Sequence, residues 1–171
     1  MTIVEQEPLS CAETPCGLNH VVLKVRDIDA SHTFWTECLG FKHVGTLRSP
    51  GGDGTPPPRV RFYSGVRDGK LSHHHIALAE EPALAAADEA GIQALDHVAI
   101  AYPTHEAWRR QVDFLTSRRV VVSRRIERGT IHSVMVTDPN GHRVELVCDL
   151  PRELWETDID AALNKRPIVH Q

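Results

Sequence analysis

No apolar run in this chain approaches the ~20 residues that a membrane-spanning helix needs, so the sequence offers no span. Basic residues are not concentrated either. Apart from the neighbours Arg109 and Arg110, Arg118 and Arg119, and Arg124 and Arg125, they are dispersed, and the net charge is −4. That balance gives no electrostatic reason to expect nucleic acid or an anionic membrane as a partner. Residues 1–16, MTIVEQEPLSCAETPC, have acidic side chains where a secretory signal needs basic ones, and they lack an apolar stretch, which points to a cytoplasmic protein. Cysteine is scarce. Cys11, Cys16, Cys38 and Cys148 form no CxxC pair, so neither zinc nor a disulfide is expected to hold the fold. Histidine is the exception, with eleven copies. Most histidines in any protein are ordinary surface or core residues, so only placement can single one out.

At 171 residues the chain can bury one core. Residues 18–25, LNHVVLKV, alternate so that Leu18, His20, Val22 and Lys24 share one side of a strand and Val21, Leu23 and Val25 the other. Asp27 and Asp29 are N-cap candidates for a helix carrying Phe34, Trp35, Cys38 and Leu39, and Gly40 supplies its stop. FKHVGTLR and RVRFYSG read as strands. Between them lies SPGGDGTPPP, which fits neither helix nor inner strand. Residues 72–80, SHHHIALAE, make a fourth strand.

After an Ala-rich stretch the pattern restarts. ALDHVAIAY puts His97 where His20 stood, and HEAWRRQVDFLTSR makes an amphipathic helix through Trp108, Val112 and Leu115. VVVSRRIER and IHSVMVTD are strands, DPNG is a tight turn, and HRVELVCD closes the unit. The economical reading is a duplicated βαβββ unit in a single α+β domain. Its parts are an N-terminal arm (1–16), module 1 (17–80), a linker or short helix (81–93), module 2 (94–149) and a C-terminal arm or helix (150–171) anchored by Trp155. Each curved sheet leaves an inner face to cover. The modules are therefore expected to pair about a pseudo-twofold axis into a cupped, mostly antiparallel sheet.

Superposing the halves sets His20 against His97, and aligns HHIAL (74–78) with HRVEL (142–146), so that Ala77 stands opposite Glu145. Two imidazoles and one carboxylate would then converge from three strands, a facial triad with open positions suited to iron(II) or manganese(II). A lone strand histidine is more often a satisfied core residue than a ligand. Glu145 differs, because a carboxylate between Val144 and Leu146 on a core strand is costly unless paired or metal-bound. Arg143 is a poor partner, since strand neighbours point to opposite faces. The coincidence of all three at matching positions of a repeat favours metal.

Three segments, GLNHVVLKVRDIDASHTFWTECLGF, ALDHVAI and VTDPNGHRVELV, resemble the vicinal-oxygen-chelate superfamily. That superfamily includes glyoxalase I, fosfomycin- and bleomycin-resistance proteins, epimerases and extradiol ring-cleaving dioxygenases. The resemblance implies the paired-module fold and ligation by His20, His97 and Glu145. Glyoxalase-type members generally place a second carboxylate, both ligand and base, where this chain has Ala77. Its absence favours the extradiol dioxygenases, in which a catechol-like diol and dioxygen occupy the open positions. SHHHIALA is also similar to a dioxygenase segment whose second histidine is the acid/base; the match falls on His74. Strict alternation from Ala77 would instead turn His73 and His75 toward the pocket, and the two inferences agree only if the strand bulges at its start. His74 is the expected acid/base, with His75 the runner-up. The competing reading is a plain surface cluster of histidines at a strand end.

The chain departs from the dioxygenase pattern at Val134 and Met135, near the place of a usual tyrosine, and offers His132 as a stand-in for a further histidine. It is most similar to the short one-domain relatives of the biphenyl-diol enzymes. The expected function is an iron(II)- or manganese(II)-dependent dioxygenase, a homodimer by the same resemblance, acting on a small aromatic diol against apolar residues such as Val22, Phe62 and Ile100. The rivals are a non-redox metalloenzyme of the glyoxalase, epimerase or fosfomycin-resistance kind, and a non-catalytic protein that binds a small aromatic ligand.

Overall fold

A computed structural model of the chain describes residues 18–48, 59–84, 95–123 and 125–170. The N-terminal arm, the Gly/Pro loop and most of the linker lie outside them, and with them Cys11 and Cys16. Strand β1 (Val21–Val25) leads into α1 (Ile28–Thr33), which continues as one π-helical turn over Phe34–Cys38. Asp27 starts the helix: its carboxylate accepts from the backbone N–H groups of Asp29 and Ala30, satisfying two donors that a helix start leaves open. Gly40 ends it at φ +79°, a conformation that favours glycine. Strands β2 (Lys42–Thr46) and β3 (Val60–Ser64) follow, then the small hairpin β4 (Val66–Arg67) and β5 (Lys70–Leu71), and then β6 (Ile76–Glu80).

The second unit repeats the plan with β7 (Val98–Ala101), α2 (His105–Ser117), β8 (Arg125–Glu127), β9 (Ile131–Thr137) and β10 (Arg143–Asp149). Sheet 1 runs β1-β6-β3-β2, and sheet 2 runs β7-β10-β9-β8 with one more strand at its edge. In each, the first strand pairs parallel to the last and the other pairs are antiparallel. This is a mixed α+β fold with one topology written twice. The tail adds a 3₁₀ turn (Arg152–Leu154), α3 (Ile159–Leu163) and β11 (Ile168–His170), which lines up antiparallel to β8. Trp155 is tied down by its indole N–H, which donates to the Leu150 carbonyl at 3.0 Å. No helix among the described residues is long and apolar enough to cross a membrane.

The expected alternation holds on β1, where Leu23 and Val25 are buried and Val22 and Lys24 exposed. What the modules do with their two faces departs from expectation. Leu23, Val25, Ile76 and Leu78 of sheet 1 join Val134, Val136, Val144 and Leu146 of sheet 2, with Trp35 and Trp108 from the helices, in one continuous core. Polar bonds seal the same junction: Asn140 accepts from the Arg26 N–H (2.7 Å) and donates to Ser31 Oγ (2.8 Å), and Gln111 donates to the Cys38 carbonyl (2.7 Å). The opposite faces, bearing His20 and Val22 on one sheet and His97 and Ala99 on the other, are therefore not those that join the modules.

Candidate functional site

His97 sits immediately before β7, on the face of Ala99, and Ala99 is the register partner of Glu145 on β10. Its Nε2 lies 3.3 Å from Glu145 Oε2. The other ring nitrogen, Nδ1, lies 2.6 Å from Asp96 Oδ2, and Arg143 holds the second Asp96 oxygen at 2.7 Å. The bond from His97, and then the Arg143 charge, keep the Asp96 carboxyl below the ordinary carboxylate range. Glu145 is 8% exposed, and its partner among the described residues is an imidazole and not an arginine. A buried carboxylate facing a nitrogen whose opposite ring nitrogen is tethered to a carboxylate is how a histidine is dressed for a metal ion.

Module 1 carries a second cluster. His20, just ahead of β1, has Nδ1 2.7 Å from the Asn19 side-chain oxygen. The His74 ring packs on it with centroids 4.3 Å apart, and its centroid lies 5.0 Å from that of Phe62. His73 Nδ1 lies 2.8 Å from His74 Nδ1. Burial, and then the neighbouring His20 and His73, hold the His74 ring below the ordinary histidine pKa. His75 turns elsewhere: its Nδ1 accepts from the Gly65 N–H at 3.2 Å and lies 3.3 Å from Ser64 Oγ, a structural anchor under the hairpin. No bulge is needed for this. Regular strand begins at Ile76, so the three histidines lie in a loop where alternation does not apply.

The structure brings His97 to Glu145 and His74 to His20, but it does not unite the two pairs. No three described His, Cys, Asp or Glu side chains lie close enough to hold a metal ion. The expected convergence of His20, His97 and Glu145 inside one chain is thus not formed, because the modules join through their core faces. Each half nonetheless has the donor chemistry a divalent cation requires, so the residues fit such an ion as two half-sites. Two further expectations are corrected. Ile100 packs against the core, leaving Val22 and Phe62 on the open face of sheet 1. His132 pairs in register with Cys148 and packs against His105 and Trp108, on the face of Val134 and not that of Glu145. A cavity of about 530 Å³ lined by Phe34, Val120, Met135 and Pro139, among others, includes none of the site histidines.

The family model described as the Glyoxalase/Bleomycin resistance protein/Dioxygenase superfamily matches residues 17–146, which is most of the chain. The chain belongs to this superfamily. Solved structures agree on the fold of this superfamily member. One from Frankia sp. EAN1pec, a glyoxylase/bleomycin resistance protein/dioxygenase domain, is 19% identical with a TM-score of 0.61, covering 80% of this chain and 100% of its own. A glyoxalase/dioxygenase from Nostoc punctiforme is 19% identical with a TM-score of 0.60 (84% and 100%), and the fosfomycin resistance protein of Listeria monocytogenes 17% with 0.56 (82% and 99%). Among curated proteins, a 3-methylcatechol 2,3-dioxygenase of Pseudomonas putida is 34% identical over 98 residues, 56% of this chain and 32% of that protein. The superfamily member thus spans about a third of that relative's length.

Asn19 and Asp96 are site residues that the spacing of ligand candidates alone does not single out. Their signal was present: each stands directly before its histidine, in matching positions of the repeat, and each can accept a bond from Nδ1.

Proposed function

We propose that this superfamily member is a metal-dependent extradiol dioxygenase, a cytoplasmic homodimer that opens the ring of a catechol-like aromatic diol with dioxygen. The observation that carries it is His74 packed on His20 at 4.3 Å and on Phe62 at 5.0 Å, with Ala77 supplying no carboxylate on that face. An acid/base imidazole thus stands beside a candidate ligand and an aromatic wall. Its depressed pKa keeps it neutral near pH 7, able to give a proton to the bound diol and dioxygen and to recover it in the course of ring opening. The curated catechol dioxygenase relative supports the same substrate class. That Glu145 faces an imidazole favours a metalloprotein over a simple binding protein.

The ligands in this reading are His97 and Glu145 of one copy and His20 of the other, the two open faces closing on each other across the dimer. A divalent ion held there, iron(II) by preference and manganese(II) as second choice, supplies the Lewis-acid and redox chemistry that couples a diol to dioxygen. The protein's own part is to chelate, to wall the ring with Val22 and Phe62, and to move protons through His74.

Protein reconstituted anaerobically with iron(II) should consume oxygen with 3-methylcatechol or another catechol and give a yellow ring-fission product. His74→Ala should lower kcat by about 10²–10⁴-fold, the usual share of a general acid/base. Metal bound with no oxygen uptake on any catechol ends this reading. Oxygen-indifferent activity with nickel, cobalt or zinc would replace it with a non-redox one.

A further inference from the structure

Asn19 touches two histidines with the two ends of one amide. Its Oδ1 lies 2.7 Å from His20 Nδ1, and its Nδ2 lies 3.4 Å from His73 Nε2. An amide oxygen only accepts and an amide nitrogen only donates. The proton of a neutral His20 ring must then sit on Nδ1, which leaves Nε2 a bare lone pair. His73 must accept at Nε2, so its own proton sits on Nδ1. That nitrogen is 2.8 Å from His74 Nδ1 and donates to it, so His74 keeps its proton on Nε2. One amide therefore sets three rings in series.

Module 2 has the same device in simpler form. Asp96 occupies the matching position and lies 2.6 Å from His97 Nδ1, the shorter of that ring's two carboxylate contacts, so the proton of a neutral ring sits on Nδ1 and Nε2 is the nitrogen left for a cation shared with Glu145, 3.3 Å away. No second histidine among the described residues waits on the other side of Asp96, whose free oxygen takes Arg143 instead. A carboxylate serves there because both of its oxygens accept. At residue 19 one atom must accept and the other donate, a division of labour that an amide supplies and a carboxylate cannot.

We propose that Asn19 is a positioning residue whose amide fixes the tautomers of His20, His73 and His74, baring Nε2 of the ligand and protonating Nε2 of the acid/base ring. The roles of ligand and acid/base rest on the dioxygenase reading, whereas the tautomers do not. The side chains concerned are exposed or half-buried, so replacing residue 19 leaves the core intact.

The test is long-range ¹H–¹⁵N correlation of the histidine rings in the metal-free, full-length protein, at a pH where the rings are neutral. In the unaltered protein, His20, His73 and His97 should carry their protons on Nδ1 and His74 on Nε2. Asn19→Asp should leave His20 as it is and reverse the other two, with His73 protonated on Nε2 and His74 on Nδ1, because a carboxylate at this position can only accept. Asn19→Ala should release all three rings, and it should weaken iron(II) or manganese(II) binding by about 10–100-fold, the usual effect of losing an outer-shell partner. A proton on Nε2 of His20 in the unaltered protein overturns the proposal. So does a His73 and His74 pair that Asn19→Asp does not reverse. These readouts use no substrate: tautomers as expected without catechol activity sink the dioxygenase reading alone, and catechol activity with other tautomers sinks this inference alone.

Discussion

Tyr102 shows how much one atom can weigh. Its hydroxyl is buried, and it and Trp35 Nε1 are the two buried side-chain polar atoms left without a partner among the described residues. Burial pushes its pKa up to about 12. With the folded value above the ordinary value of about 10, ionisation of this group leaves stability untouched below about pH 10 and lowers it as pH rises from there through the folded value. Tyr102→Phe removes a desolvated group that gains nothing in return. It should leave neutral-pH stability unchanged or raise it by about 1 kcal/mol, and it should reduce the alkaline loss, of which Tyr63, Cys38 and Cys148, each also pushed up by burial, keep their share. Urea denaturation at neutral pH and through the alkaline range measures both.

At the scale of elements, periodicity located the strands well and their ends less well. Among the described residues of VVVSRRIER, regular strand covers only Arg125–Glu127, and Val120 and Val122 pack against the core from irregular backbone. The SHHH segment stays out of β6 because its rings bond to one another and to the hairpin, a preference that strand propensity does not contain. The tail depends on a close approach that composition does not reveal. A Cβ on Gly129 would run into the backbone carbonyl of Ala162 in α3. Backbone cannot swing aside as a side chain can, so Gly129→Ala must displace α3. The expected cost is about 1–3 kcal/mol, with earlier cleavage of residues beyond Asp149 in limited proteolysis and loss of amide protection in β11.

For the whole molecule the decisive matter is which chain supplies which ligand. In the homodimer reading, His20→Ala and Glu145→Ala are each inactive alone, but mixed copies restore one intact site per heterodimer. It combines His20 from the Glu145→Ala copy with His97 and Glu145 from the His20→Ala copy. Random reassortment through a two-fold interface should recover about a quarter of the metal sites and of the activity. If one chain supplied all three ligands, mixing would recover nothing. Metal content and oxygen uptake of the remixed protein decide between them.

The duplicated βαβββ units, the alternation on β1, a helix start at Asp27 or Asp29 with its stop at Gly40, and the candidacy of His20, His97 and Glu145 were legible in the sequence, because each of these follows from local spacing or from matching positions of a repeat. The sequence left open which of His73, His74 and His75 meets His20, and nothing in it tied Asn140 to Arg26 and Ser31. Those contacts, and the choice of face through which the modules join, belong to tertiary packing. A strand's alternation says that it has two faces; only the competition between those faces for apolar partners says which one is buried against the other module and which is left open to complete a site.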